Sequence, residues 1–468
     1  MMMKHPWHRH LLSLFVTALA LLGRPASPLP DGRPTVLAHS SVGPAVEVQA
    51  TPDSEPAPPE PFPQRRRREQ LAQLGVDRWH AAGFRGQGIT IAVLDTGFRG
   101  YRQHLGHALP AHVRTRSFRP DGNLEARNSQ HGVLCAEVLH ALAPDAQILL
   151  ANWDTGRPQS FLDAARWARS QGARIISCSV IMPSWSDGQG GGRVDTELGD
   201  ILGSGQERAD MLFFASAGNT AQRHWSGSFH DDGDGWHEWQ PGVTRNALSP
   251  WGTEAVSVEL YGRPGSEYEI EVLDTTTGQT VAHGRSRRRE LGRCCGVARF
   301  HPQLATGYEV RVRLVEGPGG PFHLVALGGG LECHTAPGSV ACPADCPQVL
   351  AVGAIHRDGH RASYSSCGSF ASMVKPDLVA TIPFASLWRP APFSGTSAAA
   401  PQAAGLAALC WSRHPSWTAA DVRRALRHAA RTLSARAPNP ETGYGLIRLP
   451  AETVADSGGR KPITLRQP

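Results

Sequence analysis

Phe393-Ser394-Gly395-Thr396-Ser397-Ala398-Ala399-Ala400-Pro401 sets a serine between a glycine turn and a run of small apolar residues. Gly395 admits backbone conformations that other residues resist, and the Ala- and Leu-rich stretch from Ala398 to Leu409 favours helix. Ser397 is therefore expected at a helix N-terminus. Backbone N–H groups point outward there, so its own amide can face a developing negative charge. A bare Gly-Thr-Ser is more often a helix cap with no chemistry, and the reading depends on partners elsewhere.

Ile91-Ala92-Val93-Leu94-Asp95-Thr96-Gly97 reads as a short buried strand ending in a carboxylate and a glycine turn. Asp95 then stands at a strand's C-terminal end, the side of an open α/β sheet on which ligands bind. His131-Gly132 precedes Val133, Leu134, Val138 and Leu139 at helical spacing, so His131 opens a helix bordering the same crevice. The chain order Asp, His, Ser is the one found in subtilisin. Each fragment is weak alone. Asp-Thr-Gly also marks aspartic peptidases and many strand-to-turn junctions, and the chain has 21 histidines. Asn219, closing the strand Leu212-Phe213-Phe214-Ala215-Ser216-Ala217-Gly218-Asn219, sits in a Gly-Asn turn signal.

Taken together, these four segments resemble the subtilisin-like serine peptidases (subtilases, family S8). Ala143-Pro144-Asp145-Ala146, Val349 to Ala354, Lys375-Pro376-Asp377-Leu378 and Gly443-Tyr444-Gly445-Leu446 extend the likeness over roughly residues 70 to 450. The resemblance implies a doubly wound, mostly parallel α/β sheet and an acyl-transfer site. Ser397 is then the nucleophile, His131 the base that takes its proton, and Asp95 the carboxylate that fixes the imidazole tautomer. Asn219 matches the oxyanion-hole donor, whose removal costs about 2.7 to 4 kcal/mol, a magnitude drawn from a subtilisin asparagine. The resemblance also assigns substrate binding to Ser179, Val180 and Ile181, which follow the β-branched run from Ile175, and to Ser216, Ala217 and Gly218 along a pocket wall. Glycines commonly follow the matching serine in the family. Here Val180, Ile181, Met182 and Pro183 do, so cleavage preference does not carry over from relatives.

Lys4, His5, His8, Arg9 and His10 precede an apolar stretch from Leu11 to Leu22, with small residues at Pro25-Ala26-Ser27. This is the architecture of a secretory signal peptide, expected at residues 1–26, and its apolar part is short for a membrane span. An uncleaved anchor is the competing reading. Residues 27–69 are read as a Pro-rich linker or short pro-segment that ends in Arg65 to Arg68. Four arginines in a row are either a solvated charge run or a processing site. The peptidase domain is expected over 70–450, with a C-terminal tail at 451–468.

Asn219 and Ser397 stand farther apart than a compact enzyme of this class needs. From residue 220 to 331 the pattern becomes alternating, as in Ala255 to Leu260, Tyr268 to Leu273 and Tyr308 to Leu314, with a turn at Thr275-Thr276-Thr277-Gly278. Half-buried antiparallel strands give this pattern, so a small β-sandwich inserted at 220–331 is expected. Within it, His230-Asp231-Asp232-Gly233-Asp234-Gly235-Trp236 clusters carboxylates as calcium loops do. It lacks the EF-hand's distal glutamate, so an ordinary acidic turn is favoured over structural calcium. Of nine cysteines, Cys135, Cys178 and Cys410 fall in apolar patterns as buried thiols. Cys294, Cys295, Cys333, Cys342, Cys346 and Cys367 are expected to include disulfides in an exported chain.

A formal net charge of +6 over 468 residues, spread along the chain, fits no nucleic-acid module. The combined reading is a secreted or exported serine endopeptidase, acting as a monomer on protein or peptide substrates. It needs no cofactor or metal for its chemistry and has no stable membrane insertion once the signal is removed. Two other classes compete with it. One is a catalytically silent relative that binds peptides, and the other is a surface-binding protein whose insert carries the role.

Overall fold

The computed structural model describes residues 62–203, 210–289, 293–369 and 374–451. All of them fall in one compact unit that starts at Pro59. The expected signal peptide, the linker up to residue 61 and the tail from residue 452 lie outside the described residues.

The described residues open with α1 (Phe62–Leu74) and α2 (Val76–Ala81), then β1 (Thr90–Asp95), β2 (Val113–Phe118), α3 (His131–Leu142), β3 (Gln147–Trp153), α4 (Pro158–Ser170), β4 (Ile175–Cys178), α5 (Arg193–Ile201) and β5 (Leu212–Ser216). After an insert come β16 (Leu350–Ile355), β17 (Leu378–Thr381), α6 (Thr396–Arg413) and α7 (Ala419–Ala429). Seven strands form one sheet in the order β17-β16-β5-β4-β1-β3-β2, and every pairing in it is parallel. The strands read as unbroken apolar runs because helices cover both faces. Ile91 and Val93 of β1 point to the layer holding α3 and α6, while Ala92 and Leu94 point to that holding α4 and α5. The strand order reverses between β3 and β4, on either side of β1. The crevice outside the C-terminal ends of β1 and β4 is thus the switch point at which such sheets bind ligands.

The insert comprises β6 (His224–Ser228), β7 (Asn246–Pro250), β8 (Val256–Gly262), β9 (Glu267–Asp274), β10 (Thr280–Arg285), β11 (Arg287–Arg289), β12 (Arg293–Phe300), β13 (Tyr308–Glu316), β14 (Pro321–Leu327) and β15 (Gly329–Leu331). They form two five-stranded antiparallel sheets, β10-β9-β13-β7-β15 and β11-β12-β8-β14-β6. Val258, Leu260, Phe322 and Leu324 of one sheet share a core with Ile270, Val272, Val310 and Val312 of the other, as alternating strands in a sandwich must. The opposite face of β8 is also covered. Glu259 and Tyr261 are buried there, and the Ser184 N–H donates to Glu259 Oε2 at 3.3 Å.

Two expectations need correction. The segment to residue 69 is no linker at its end, since Phe62 onward is helical and Arg67 is buried. Arg67 pairs with Glu137 of α3 at 2.7 Å and also donates to the Ala385 carbonyl, so this one arginine of the run is anchored in the packed body while Arg65, Arg66 and Arg68 are exposed. Sequence patterning missed this because the partner is distant in the chain and four arginines carry no apolar period. Secondly, no disulfide joins any of the nine cysteines, and all nine are buried. Those in the insert and beyond fill core positions, as thiols of modest size do.

Candidate active site

Asp95 ends β1 fully buried. One carboxylate oxygen accepts the Thr96 N–H at 2.8 Å, and the other lies 2.7 Å from His131 Nδ1. A carboxylate can only accept, so the proton in that contact belongs to Nδ1, and in the neutral ring the lone pair is on Nε2. His131 is the first residue of α3, and its neighbour explains how it reaches the crevice. Gly132 packs so closely on Phe98 that a Cβ would stand 2.5 Å from the ring, so only glycine lets the helix start there. The imidazole itself stays one-third exposed. Burial opposes its charging, but the adjoining Asp95 carboxylate first and Cys135 second together more than offset that and hold its pKa well above the ordinary histidine value.

Ser397 lies in the first turn of α6, where its N–H has no intrahelical acceptor. Gly395 caps the helix at φ 80°, and a Cβ there would meet the Asn219 amide at 3.0 Å. Asn219 Oδ1 accepts both the Thr396 N–H at 3.0 Å and the Thr396 hydroxyl at 2.9 Å. An N–H can only donate, so these bonds fix the amide orientation and leave Nδ2 as a donor with no partner among the described residues. Four residues on, Pro401 lacks an N–H, which frees the Ser397 carbonyl within the helix. The Ser179 hydroxyl fills that place at 3.1 Å, and the Ser397 hydroxyl donates back to the Ser179 carbonyl at 3.4 Å. No hydrogen bond joins Ser397 to His131 among the described residues, a looseness common in sites without substrate.

Ser179, Val180 and Ile181 follow β4, and Ser216, Ala217, Gly218 and Asn219 close β5, on neighbouring parallel strands that flank Ser397. Sequence reasoning missed Cys135 as a member of this neighbourhood. Its Sγ lies 3.8 Å from Asp95 Oδ2, 3.9 Å from His131 Nδ1 and 3.8 Å from the Ser397 carbonyl. Spacing of four along α3 from His131 was the available signal. Burial pushes this thiol's pKa up, and the neighbouring His131 draws it part of the way back down. The acidic loop of the insert is exposed, and Asp231 Oδ1 accepts the N–H groups of Gly233 and Gly235, as an acidic turn does.

The chain matches the profile of the Subtilase family over residues 86–287 and 322–445. It belongs to that family. The break between the two matched stretches falls inside the sandwich insert of this subtilase. Among curated relatives, it is 39% identical over 110 residues to subtilisin amylosacchariticus of Bacillus subtilis subsp. amylosacchariticus, covering 23% of this chain and 28% of that protein. It is 38% identical over 115 residues to a subtilisin of Bacillus pumilus, covering 24% and 40% respectively. The subtilase thus matches less than half the length of either relative. In fold it is similar to the CspB protease of Clostridium perfringens, with a TM-score of 0.59 at 15% identity, across 81% of this chain and 97% of that one.

Proposed function

We propose that this subtilase is an exported serine endopeptidase acting on proteins or peptides. The observation that carries the reading is the 2.7 Å contact between Asp95 and His131 Nδ1, made beside a serine at a helix N-terminus and an asparagine whose amide is aimed by Thr396. With Nδ1–H held by Asp95, Nε2 takes the Ser397 proton as Oγ attacks the peptide carbonyl. The resulting oxyanion is met by Asn219 Nδ2 and the Ser397 N–H, both without competing acceptors among the described residues. The imidazolium returns its proton to the leaving amine, and water, deprotonated by the same Nε2, hydrolyses the acyl-enzyme. No cofactor enters these steps.

Export rests on the basic and apolar pattern of residues 4 to 27, and among the described residues no helix is long and apolar enough to cross a membrane. A second reading, a silent peptide-binding relative, draws on the Ser397 hydroxyl bonding to Ser179 instead of the imidazole. One experiment separates the two. An alkyl fluorophosphonate is expected to tag wild type at Ser397, to leave Ser397→Ala untouched, and to abolish peptide hydrolysis in step. Absence of the tag on correctly folded wild type refutes the peptidase reading and favours the silent one.

A further inference from the structure

We infer that Ile181 closes the acyl-side pocket, so that this subtilase accepts substrates with a residue no larger than alanine on the acyl side of the scissile bond. The inference rests on Ser397 being the nucleophile. A carbonyl held between Ser397 Oγ and Asn219 Nδ2 has its acyl-side Cα about 1.5 Å from the carbonyl carbon. The side chain on that Cα must enter the gap between the backbone following β4 and the backbone following β5. Paired strands stand about 4.8 Å apart, and here Cys178 of β4 still pairs with Ala215 of β5. Beyond those residues the gap is filled from within the chain. A Cβ built on Gly218 would lie 3.5 Å from Ile181 Cγ2 and 3.6 Å from its Cδ1, so the isoleucine crosses to the facing wall in van der Waals contact. Ser366 Oγ stands 2.9 Å from the same point, so the space beside Gly218 is bounded by both side chains.

The segment carrying Ile181 is also braced. The Met182 N–H donates to the Cys342 carbonyl at 2.7 Å, and the Met182 side chain is 5% exposed in the second core. Pro183 follows, and the Ser184 N–H donates to Glu259 of β8. The insert thus holds the segment from one side and the catalytic core from the other. Isoleucine is stiff at χ1, so with its backbone fixed on both flanks it has little freedom to swing aside. Opening the pocket for a large side chain would require breaking these contacts together.

Peptidyl diphenyl phosphonates that differ only in the acyl-side residue test this on the full chain. The alanine reagent is expected to inactivate wild type at least about tenfold faster than the phenylalanine reagent. Ile181→Gly should reduce or invert that ratio. Ile181→Val, which removes one methylene and is safe for folding, should move it part of the way. Equal rates for the two reagents on wild type, or a ratio that ignores both substitutions, overturn the inference. The alkyl fluorophosphonate tag separates the levels: a tag at Ser397 with a flat series rejects the role of Ile181 alone. No tag and no phosphonate reaction reject the peptidase reading and this inference with it.

Discussion

At the scale of single residues, burial opposes the charging of His131 while Asp95 first and Cys135 second favour it, and these two together win. A general base must be neutral to accept the serine proton, so activity should rise with pH through a midpoint above the ordinary imidazole value of about 6.5. The same shift stabilises the fold below that ordinary value and loses its contribution as pH climbs through the raised one. Asp95→Asn removes the charge that raises the pKa. The rising limb of kcat/KM is expected to move to lower pH, while kcat falls by about 10⁴-fold because the tautomer is no longer enforced. A limb that stays in place would show that some other group sets it. Asp95, His131 and Ser397 were legible in the sequence because each sits at the end of a strand or the start of a helix, marked by glycine. Cys135 was not, and at Ile181 the bulk after Ser179 was visible, with pocket filling and core packing left as equal readings. A thiol in an apolar helix and a β-branched residue after a strand look like core until the facing wall is known.

At the scale of elements, the insert carries its own titration. His224 is fully buried, its Nδ1–H donated to the Thr335 carbonyl at 2.9 Å and its Nε2 placed 3.0 Å from His323 Nδ1. With both rings neutral the His323 Nδ1–H donates to His224 Nε2, and protonating both rings would set two donors against each other. Burial first, then the neighbouring ring, depresses His224 to about 3. Burial likewise takes His323 and His237 to about 4. Histidines depressed in the fold are charged more readily in the unfolded chain, so stability is complete above about pH 6.5 and is lost as pH falls toward about 4. Each group contributes up to about 1.4 kcal/mol per pH unit in that window. Thermal melts should therefore show Tm dropping between pH 6.5 and 4.5, before most carboxylates titrate, and a flat Tm there would contradict the buried neutral pair. The sandwich itself was readable, since its strands largely alternate and most of the apolar positions point inward. Its docking was hidden, because Tyr261 and Glu259 look like outward residues in the alternation, yet both are buried, Glu259 against the Ser184 N–H of the catalytic body and Tyr261 against His323 and Cys295 of the insert.

At the scale of the whole molecule, α1 and the loop leading to Ser397 meet on one buried charge. Glu137 of α3, 2% exposed, receives the Arg67 guanidinium at 2.7 Å, the Ser386 hydroxyl at 2.8 Å and the Leu387 N–H at 2.7 Å. Gln70 adds a pair of bonds, its Nε2 to the Pro383 carbonyl at 2.6 Å and its Oε1 from the Ala385 N–H at 2.8 Å. The N-terminal helix therefore pins the helix that starts with His131 to the loop that precedes the serine. Removing one member of a buried pair leaves the other charge uncompensated, so Arg67→Met is expected to cost about 3 to 5 kcal/mol. Replacing both ions often restores stability, but here Glu137→Met would also strand the Ser386 hydroxyl and the Leu387 amide, each worth about 1 to 3 kcal/mol when left unmade. The double variant Arg67→Met, Glu137→Met should accordingly recover only part of the loss. Urea unfolding midpoints of the two single variants and the double variant give the coupling directly. Full recovery would mean that the carboxylate serves the arginine alone, whereas no coupling at all would remove α1 from any part in holding the two halves of the site together.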